Sequence, residues 1–260
     1  MSIINYKLLN DHKEIAHFCT TRFGGASVGN YASFNLSKYT GDLQQNIAQN
    51  IETLCNLIDI EANKLVVPFQ NHGNKIQIID ERFFDLAEDE KESYLHGVDG
   101  LVTQGKNICV AVTTADCVPL LFYDPVQKVV AAVHAGWRGT CAKITEKTVQ
   151  IMTKKFHCEA KNILVTIGPS ISDKVYEVGV EVIDTFEKNG FDINQISTKR
   201  DNRLFLNLWK ANEMVLIENG ISKNNIETAG ICTFQNNDKF FSARQLGIAS
   251  GRMLSGIYIK

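Results

Sequence analysis

Two periodicities of apolar positions run along the chain. The densest β pattern lies in NICVAVTT (107–114), VPLLFYD (118–124) and KVVAAVHA (128–135), all rich in Val, Leu and aromatic residues. DPVQ (124–127) is turn-forming and predicts that the last two pair as a hairpin. EIAHFCTTR (14–22), KLVVPFQ (64–70), KIQIID (75–80), NILVTIG (162–168), IETAGIC (226–232), KFFSAR (239–244) and SGIYIK (255–260) are further strand candidates. Helical spacing appears over 42–58, where Leu43, Ile47, Ile51, Leu54 and Leu57 recur and Asp42 is the candidate N-cap. Over 140–156, Ile144, Val149 and Met152 share a face opposite lysines, with Thr140 as candidate cap. Segments 177–190 and 206–220 read as helices that each end at glycine. FGGASVGNYAS (23–33) reads as a loop and the charged 80–96 as a solvated surface segment. Strands and helices mix without a strict βαβ rhythm. The pattern therefore predicts an α+β (mixed) fold, without internal repeat or clear linker over 1–260.

Composition narrows the function classes. A length of 260 residues supports a substantial core, and 44% apolar with 22% charged residues is ordinary for a globular chain. A formal charge of -2 gives no electrostatic argument for nucleic acid or an anionic membrane as partner. No apolar run approaches the roughly 20 residues that span a bilayer. The start MSIINYKLLNDHKE lacks the features of a signal peptide. Seven cysteines occur with scattered spacing and no CxxC pair, so the expectation is a cytoplasmic chain with reduced thiols. Neither GxGxxG nor GxxxxGK[ST] occurs, which leaves a Rossmann or P-loop nucleotide site unsupported.

Polar residues interrupt the apolar runs at telling places. TTADCVPLL (113–121) puts Asp116 beside Cys117, and VVAAVHAGWRGT ends an apolar run on His134, seventeen positions later. His72 stands in the turn-like QNHGNK. Two imidazoles and a thiolate suit Zn²⁺ and leave a fourth position open. In the predicted hairpin, positions near 117 and 134 lie across from each other, where Cβ atoms are roughly 4.5–5.5 Å apart; spacing alone does not bring in His72. Core packing is the plain alternative for each of the three, Cys117 above all. A further alternative makes Cys117 a nucleophile and His134 its base. Arg138, just before a predicted helix, is a candidate anion site, with pairing to Asp116 as the alternative. Arg22 and Arg244 are candidates for the same cleft.

CTTRFGGASVGNYASFNL, QNHG, VDGLVT, VTTADCVPLLFYDP, VAAVHAGWRGT, IGPSIS, YEVG, CTF and FFSARQLGIASGRM occur in this order from about residue 15 to the C-terminus. The chain thereby resembles the multicopper polyphenol oxidase or laccase-domain family, also described as purine nucleoside phosphorylase-like, with peptidoglycan-editing members. The resemblance implies a single domain over 1–260 of α/β/β/α layers with mixed β-sheets, related to cytotoxic deamidases with a Cys/His pair. It implies a metal site, usually zinc, at His72, Cys117 and His134. The activities it implies are phosphorolysis of adenosine, inosine and S-methyl-5′-thioadenosine, and hydrolytic deamination of adenosine. Small-molecule nucleoside and phosphate are then the partners. Arg138, with Arg22 or Arg244, would hold phosphate, Asn35 keeps the relatives' residue at the substrate side, and Asp116 would assist proton transfer or orient Arg138. Copper fits less well, because six scattered histidines do not supply several copper sites. Removal of a wrong amino acid from a peptidoglycan precursor through Cys117 and His134, and a non-catalytic metal-binding role, are the rival expectations. The chain departs from the relatives' pattern at Tyr39, where they often carry histidine, and at Ile51, where they often carry arginine.

Overall fold

The computed structural model describes residues 3–260. Its strands are β1 (Ile3–Ile4), β2 (Ile15–Thr20), β3 (Leu65–Val66), β4 (Ile76–Ile78), β5 (Gly100–Thr103), β6 (Cys109–Thr114), β7 (Val118–Asp124), β8 (Val129–Ala135), β9 (Leu164–Ile167), β10 (Glu177–Val178), β11 (Ser197–Arg200), β12 (Arg203–Leu206), β13 (Ile226–Thr228) and β14 (Met253–Ile259). They form a five-stranded sheet in the order β1-β2-β14-β6-β3, a six-stranded sheet in the order β13-β9-β7-β8-β5-β4, and a small sheet β10-β12-β11. Parallel pairs (β3 with β6, β4 with β5, β13 with β9) stand among antiparallel ones, so the two large sheets are mixed.

Side-chain alternation sorts the core into layers. Leu121 and Tyr123 of β7 and Val130 and Ala132 of β8 pack with Val110, Val112 and Ile257 of the five-stranded sheet. The other parity of β7 and β8, including Leu120, Phe122, Ala131 and Val133, packs on Val149 and Met152 of the helix Ile144–Phe156 and on Val215 of the helix Leu208–Glu218. Beyond the first sheet, Phe18, Ala111 and Tyr258 pack on Leu54 of the helix Gln44–Ile58. The single domain is thus helix, sheet, sheet, helix in section, the mixed α+β arrangement expected. Every residue of β7 and β8 is buried. A fully buried Val or Leu contributes roughly 1.5–3 kcal/mol, so this hairpin is a rigid platform for whatever stands at its ends.

Several local expectations are corrected. Asp42 is not the cap of its helix: Leu43 is, and the Asp42 carboxylate instead accepts from Ser27 Oγ at 2.6 Å and Asn35 Nδ2 at 3.0 Å. The 140–156 helix is two pieces, Trp137–Cys141 and Ile144–Phe156, broken where Lys143 takes a left-handed conformation (φ 53). Thr140 lies inside the first piece and does not cap; its hydroxyl donates to Ala135 O and accepts from Asn212 Nδ2. Segment 239–244 is not a strand, because Ser242 caps a short helix, Ala243–Leu246. The charged 80–96 segment is only partly solvated: it folds into a 3-10 helix (Glu81–Asp85) and an α-helix (Glu88–Leu95), which bury Phe83 and Leu95. The glycine ends hold, with Gly190 (φ 83) and Gly220 (φ 87) just past their helices.

Candidate active site

The hairpin register places Pro119 opposite His134 and Val118 opposite Ala135. Cys117, two residues before Pro119, therefore sits diagonally from His134 on the same face. His134 has the parity of Val130 and Ala132, so it points toward the first sheet. His72 joins them from the turn after β3. The ligand atoms of His72, Cys117 and His134 all lie within 4.8 Å of one another, and the two imidazoles meet edge-on, centroids 4.8 Å apart. These three can hold a metal ion. The fit is local and tight: a Cβ on Gly136 would stand 3.1 Å from Cys117 Sγ and 3.2 Å from His72 Cδ2. Glycine there leaves the ligands room to converge.

Two backbone features shape the site. His72 (φ 64) and Asp116 (φ 84) both adopt the left-handed region that non-glycine residues seldom occupy. Such conformations persist only where surrounding structure holds them. For His72 the holder is Asp99, fully buried at the start of β5. Its carboxylate accepts from the backbone N–H of His72 at 3.0 Å and of Gly73 at 2.7 Å. The same group lies 2.7 Å from His134 Nδ1, which turns Nε2 toward the ligand cluster. One carboxylate thus orients both histidines. Sequence reasoning missed Asp99, which was visible only inside the VDGLVT stretch, where nothing distinguished it from a turn residue.

Electrostatics follow from these contacts. Burial alone would push the Cys117 thiol up, but the adjoining His134 charge and hydrogen bonds from both histidines outweigh it and draw the thiol well below its ordinary value. Burial would likewise pull His134 down, yet the Cys117 thiolate and the Asp99 carboxylate raise it. Asp99 is lowered overall despite its burial, through His134 and the Gly73 and His72 N–H groups. The site therefore favours thiolate, the form that binds metal or attacks carbon.

The triad opens into a cleft of about 740 Å³, whose lining includes Asp116, Arg138, Tyr176, Arg244 and Arg252. Asp116 does not pair with the Arg138 side chain. It accepts from Thr233 Oγ1 at 2.7 Å, Ser242 Oγ at 3.0 Å and Arg244 N at 2.7 Å. The guanidinium of Arg138 lies over the Trp137 ring at 4.3 Å and that of Arg244 over the Tyr176 ring at 5.2 Å. Among the described residues, no carboxylate forms an ion pair with Arg138, Arg244 or Arg252. Burial pushes the Tyr176 phenol up, so it stays neutral and able to donate.

Two expected site residues stand elsewhere. Arg22 donates to the carbonyls of Ala32 (2.9 Å) and Asn237 (2.7 Å) and packs over Phe241, outside the cleft lining. Asn35 is fully buried and bonded to Thr40, Asp42, Ser37 N and Arg252 N. Arg252, which sequence reasoning passed over inside FFSARQLGIASGRM, does line the cleft. Tyr39 and Ile51, the two departures from the relatives' pattern, both line a neighbouring apolar cavity.

The family model described as multi-copper polyphenol oxidoreductase laccase matches residues 16–260, and the chain belongs to that family. It is similar to a purine nucleoside phosphorylase of Bacteroides thetaiotaomicron, 42% identical over 99% of this chain and 96% of the relative. It is also similar to adenosine deaminase RL5 of an unknown prokaryotic organism, 38% identical over 94% of this chain and 93% of the relative. Among solved structures, the Bacillus licheniformis hypothetical protein YfiH superposes with a TM-score of 0.92 at 28% identity, covering 100% of this chain and 97% of that one.

Proposed function

We propose that this chain is a zinc-dependent purine nucleoside enzyme. It phosphorolyses adenosine, inosine and S-methyl-5′-thioadenosine, and it deaminates adenosine by hydrolysis. The observation that carries this reading is the conjunction in one cleft of a His–Cys–His donor set with three arginines that lack carboxylate partners. A cleft with surplus positive charge attracts an anion, and relatives of this length and identity are named for phosphorolysis and adenosine deamination.

His72, Cys117 and His134 hold the zinc. The donor set of two imidazoles and one thiolate matches it and leaves an open position. Zinc bound there supplies Lewis acidity to a substrate oxygen or to water. Among the described residues one group of three His/Cys side chains is placed to hold an ion, which favours a single metal over a multi-copper arrangement. Arg138 and Arg244 hold phosphate, with the neutral Tyr176 phenol as a further donor. In phosphorolysis a phosphate oxygen bonds to C1′ as the glycosidic C–N bond breaks, and the electron pair leaves on the base. Guanidinium groups hold the nucleophile in line and steady its charge. Asp116 is a positioning residue: it fixes the Cys117 turn against Thr233, Ser242 and the Arg244 backbone. Its carboxylate already accepts three hydrogen bonds, which leaves it poorly placed to shuttle protons. All seven cysteines are free, which favours a reducing, cytoplasmic setting.

Incubation of metal-analysed protein with adenosine, with and without phosphate, tests the reading. Phosphate-dependent adenine and ribose-1-phosphate, lost in Cys117→Ala together with zinc, is the expected result. Inosine formed without phosphate would show the deaminase activity; no turnover by zinc-loaded protein would refute the nucleoside assignment. A second reading has its own observation. Asp99, His134 and Cys117 stand in the order carboxylate, imidazole, thiol of a nucleophilic triad, which suits a hydrolase acting on a peptidoglycan precursor. Activity that survives chelation and disappears with iodoacetamide would favour it.

A further inference from the structure

The cleft adjoins a second cavity of about 340 Å³, lined mainly by apolar side chains such as Leu36, Ile51, Leu65, Phe84 and Leu254, with Lys38, Asn63, Glu88, Lys91 and Glu92 also in its lining. Among the described residues, Tyr39 alone lines both spaces. Its ring meets Phe69 edge-on, centroids 4.8 Å apart, and Phe69 stacks flat on His96 at 4.7 Å. The loop carrying Tyr39 is held from beneath. Asn35 Nδ2 donates to Thr40 Oγ1 at 2.8 Å and to Asp42 Oδ2 at 3.0 Å, and Asn50 Nδ2 donates to Asn35 O at 2.9 Å. Asn35 and Asn50 are fully buried, while Tyr39 itself is 42% exposed. A rigid base thus presents an accessible ring.

The cleft lining combines two chemistries: the Arg138 and Arg244 guanidinium groups with the Tyr176 phenol, suited to an anion, and the Tyr39 and Phe69 rings, suited to a flat, weakly polar group. We propose that Tyr39 is a specificity-determining residue: the planar base of the substrate lies against Tyr39 and Phe69, and the Tyr39 ring closes the cleft off from the apolar cavity, excluding bulky apolar substituents on the base. This rests on the nucleoside assignment above. Bases stack on aromatic rings whatever their edge groups, so these rings select for flatness and length rather than for one purine. An apolar cavity of roughly 150 Å³ holds a benzene molecule, so the space behind Tyr39 is ample for a phenyl ring.

The test compares wild type, Tyr39→Ala and Tyr39→Phe on adenosine and on N6-benzyladenosine, each with saturating phosphate. In Tyr39→Ala the kcat/KM ratio of N6-benzyladenosine to adenosine rises at least roughly tenfold, and the adenosine KM rises by roughly tenfold as the stacking partner goes. The phosphate KM stays where it was. Tyr39→Phe, which keeps the ring, retains the wild-type ratio. A purely structural role would not create activity on the larger substrate. An unchanged ratio in Tyr39→Ala, in protein whose thermal melt matches wild type, overturns the proposal whatever happens to KM. Calorimetric titration of wild type with adenosine separates the two failures. Absence of both binding and turnover removes the nucleoside assignment and this proposal with it, whereas an active wild type with an unmoved ratio removes the proposal alone.

Discussion

His17 and His134 are both buried on central strands, 7% and 3% exposed, yet they are driven to opposite charge states. His17 on β2 stacks on Tyr6 at 5.8 Å and accepts the Tyr6 N–H at Nε2, 2.9 Å away. Burial dominates there, and its pKa falls to about 4. His134 on β8 meets the same burial but has the Cys117 thiol on one side and Asp99 on the other, and its pKa rises. Burial therefore does not separate a core histidine from a functional one. The anionic partners do, and they come from residues distant in sequence: Asp99 is thirty-five positions from His134.

The largest effect that would sharpen this contrast is on acid stability. Folded His17 resists the proton that the unfolded chain binds below about 6.5. Stability therefore falls as pH drops through the window from about 6.5 to about 4, and this contribution levels off beneath it. The full window corresponds to about 3 kcal/mol. Denaturant titrations across that range should show a steeper loss in wild type than in His17→Gln. Equal slopes would break the comparison at its first half.

The second half rests on Asp99. Asp99→Asn keeps the volume but removes the charge that holds His134 and weakens the acceptor that fixes the His72 turn. Loss of such an outer partner typically lowers metal affinity roughly 10–100-fold. Chelator competition for zinc should show a drop of that size, and the thermal melt of the metal-free protein should fall as well, because the buried His134 and the His72 turn lose their charged partner. An unchanged affinity would mean that the ligands orient themselves without it.

Much of this arrangement was legible in sequence where local signals and tertiary packing agree. β6, β7 and β8 were evident because their Val- and Leu-rich runs are buried along nearly their whole length, and the hairpin register then brought Cys117 near His134. Tertiary contacts overrode local signals elsewhere. Asp42 looked like a cap but is drawn into the Ser27–Asn35–Asn50 network. KFFSAR looked like a strand, but Asp116 accepts from Ser242 Oγ and Arg244 N and fixes that segment as a turn entering a helix. The β11–β12 hairpin went unseen because both strands are only four residues long and STKR is polar and mostly exposed. For the site, the donor types His, Cys and His announced themselves against apolar runs. Asp99 did not, since an aspartate before glycine reads as a turn. Arg22 and Asn35 were drawn in by their motifs, yet backbone carbonyls and a buried amide network occupy them.

Zinc K-edge X-ray absorption on zinc-loaded protein reads the ligand set itself. A shell with one sulfur at roughly 2.3 Å and nitrogens at roughly 2.0–2.1 Å, with the sulfur scatterer lost in Cys117→Ala, is the expected result. A wild-type shell of oxygen and nitrogen alone, or a sulfur signal that survives in Cys117→Ala, would contradict the proposed zinc site.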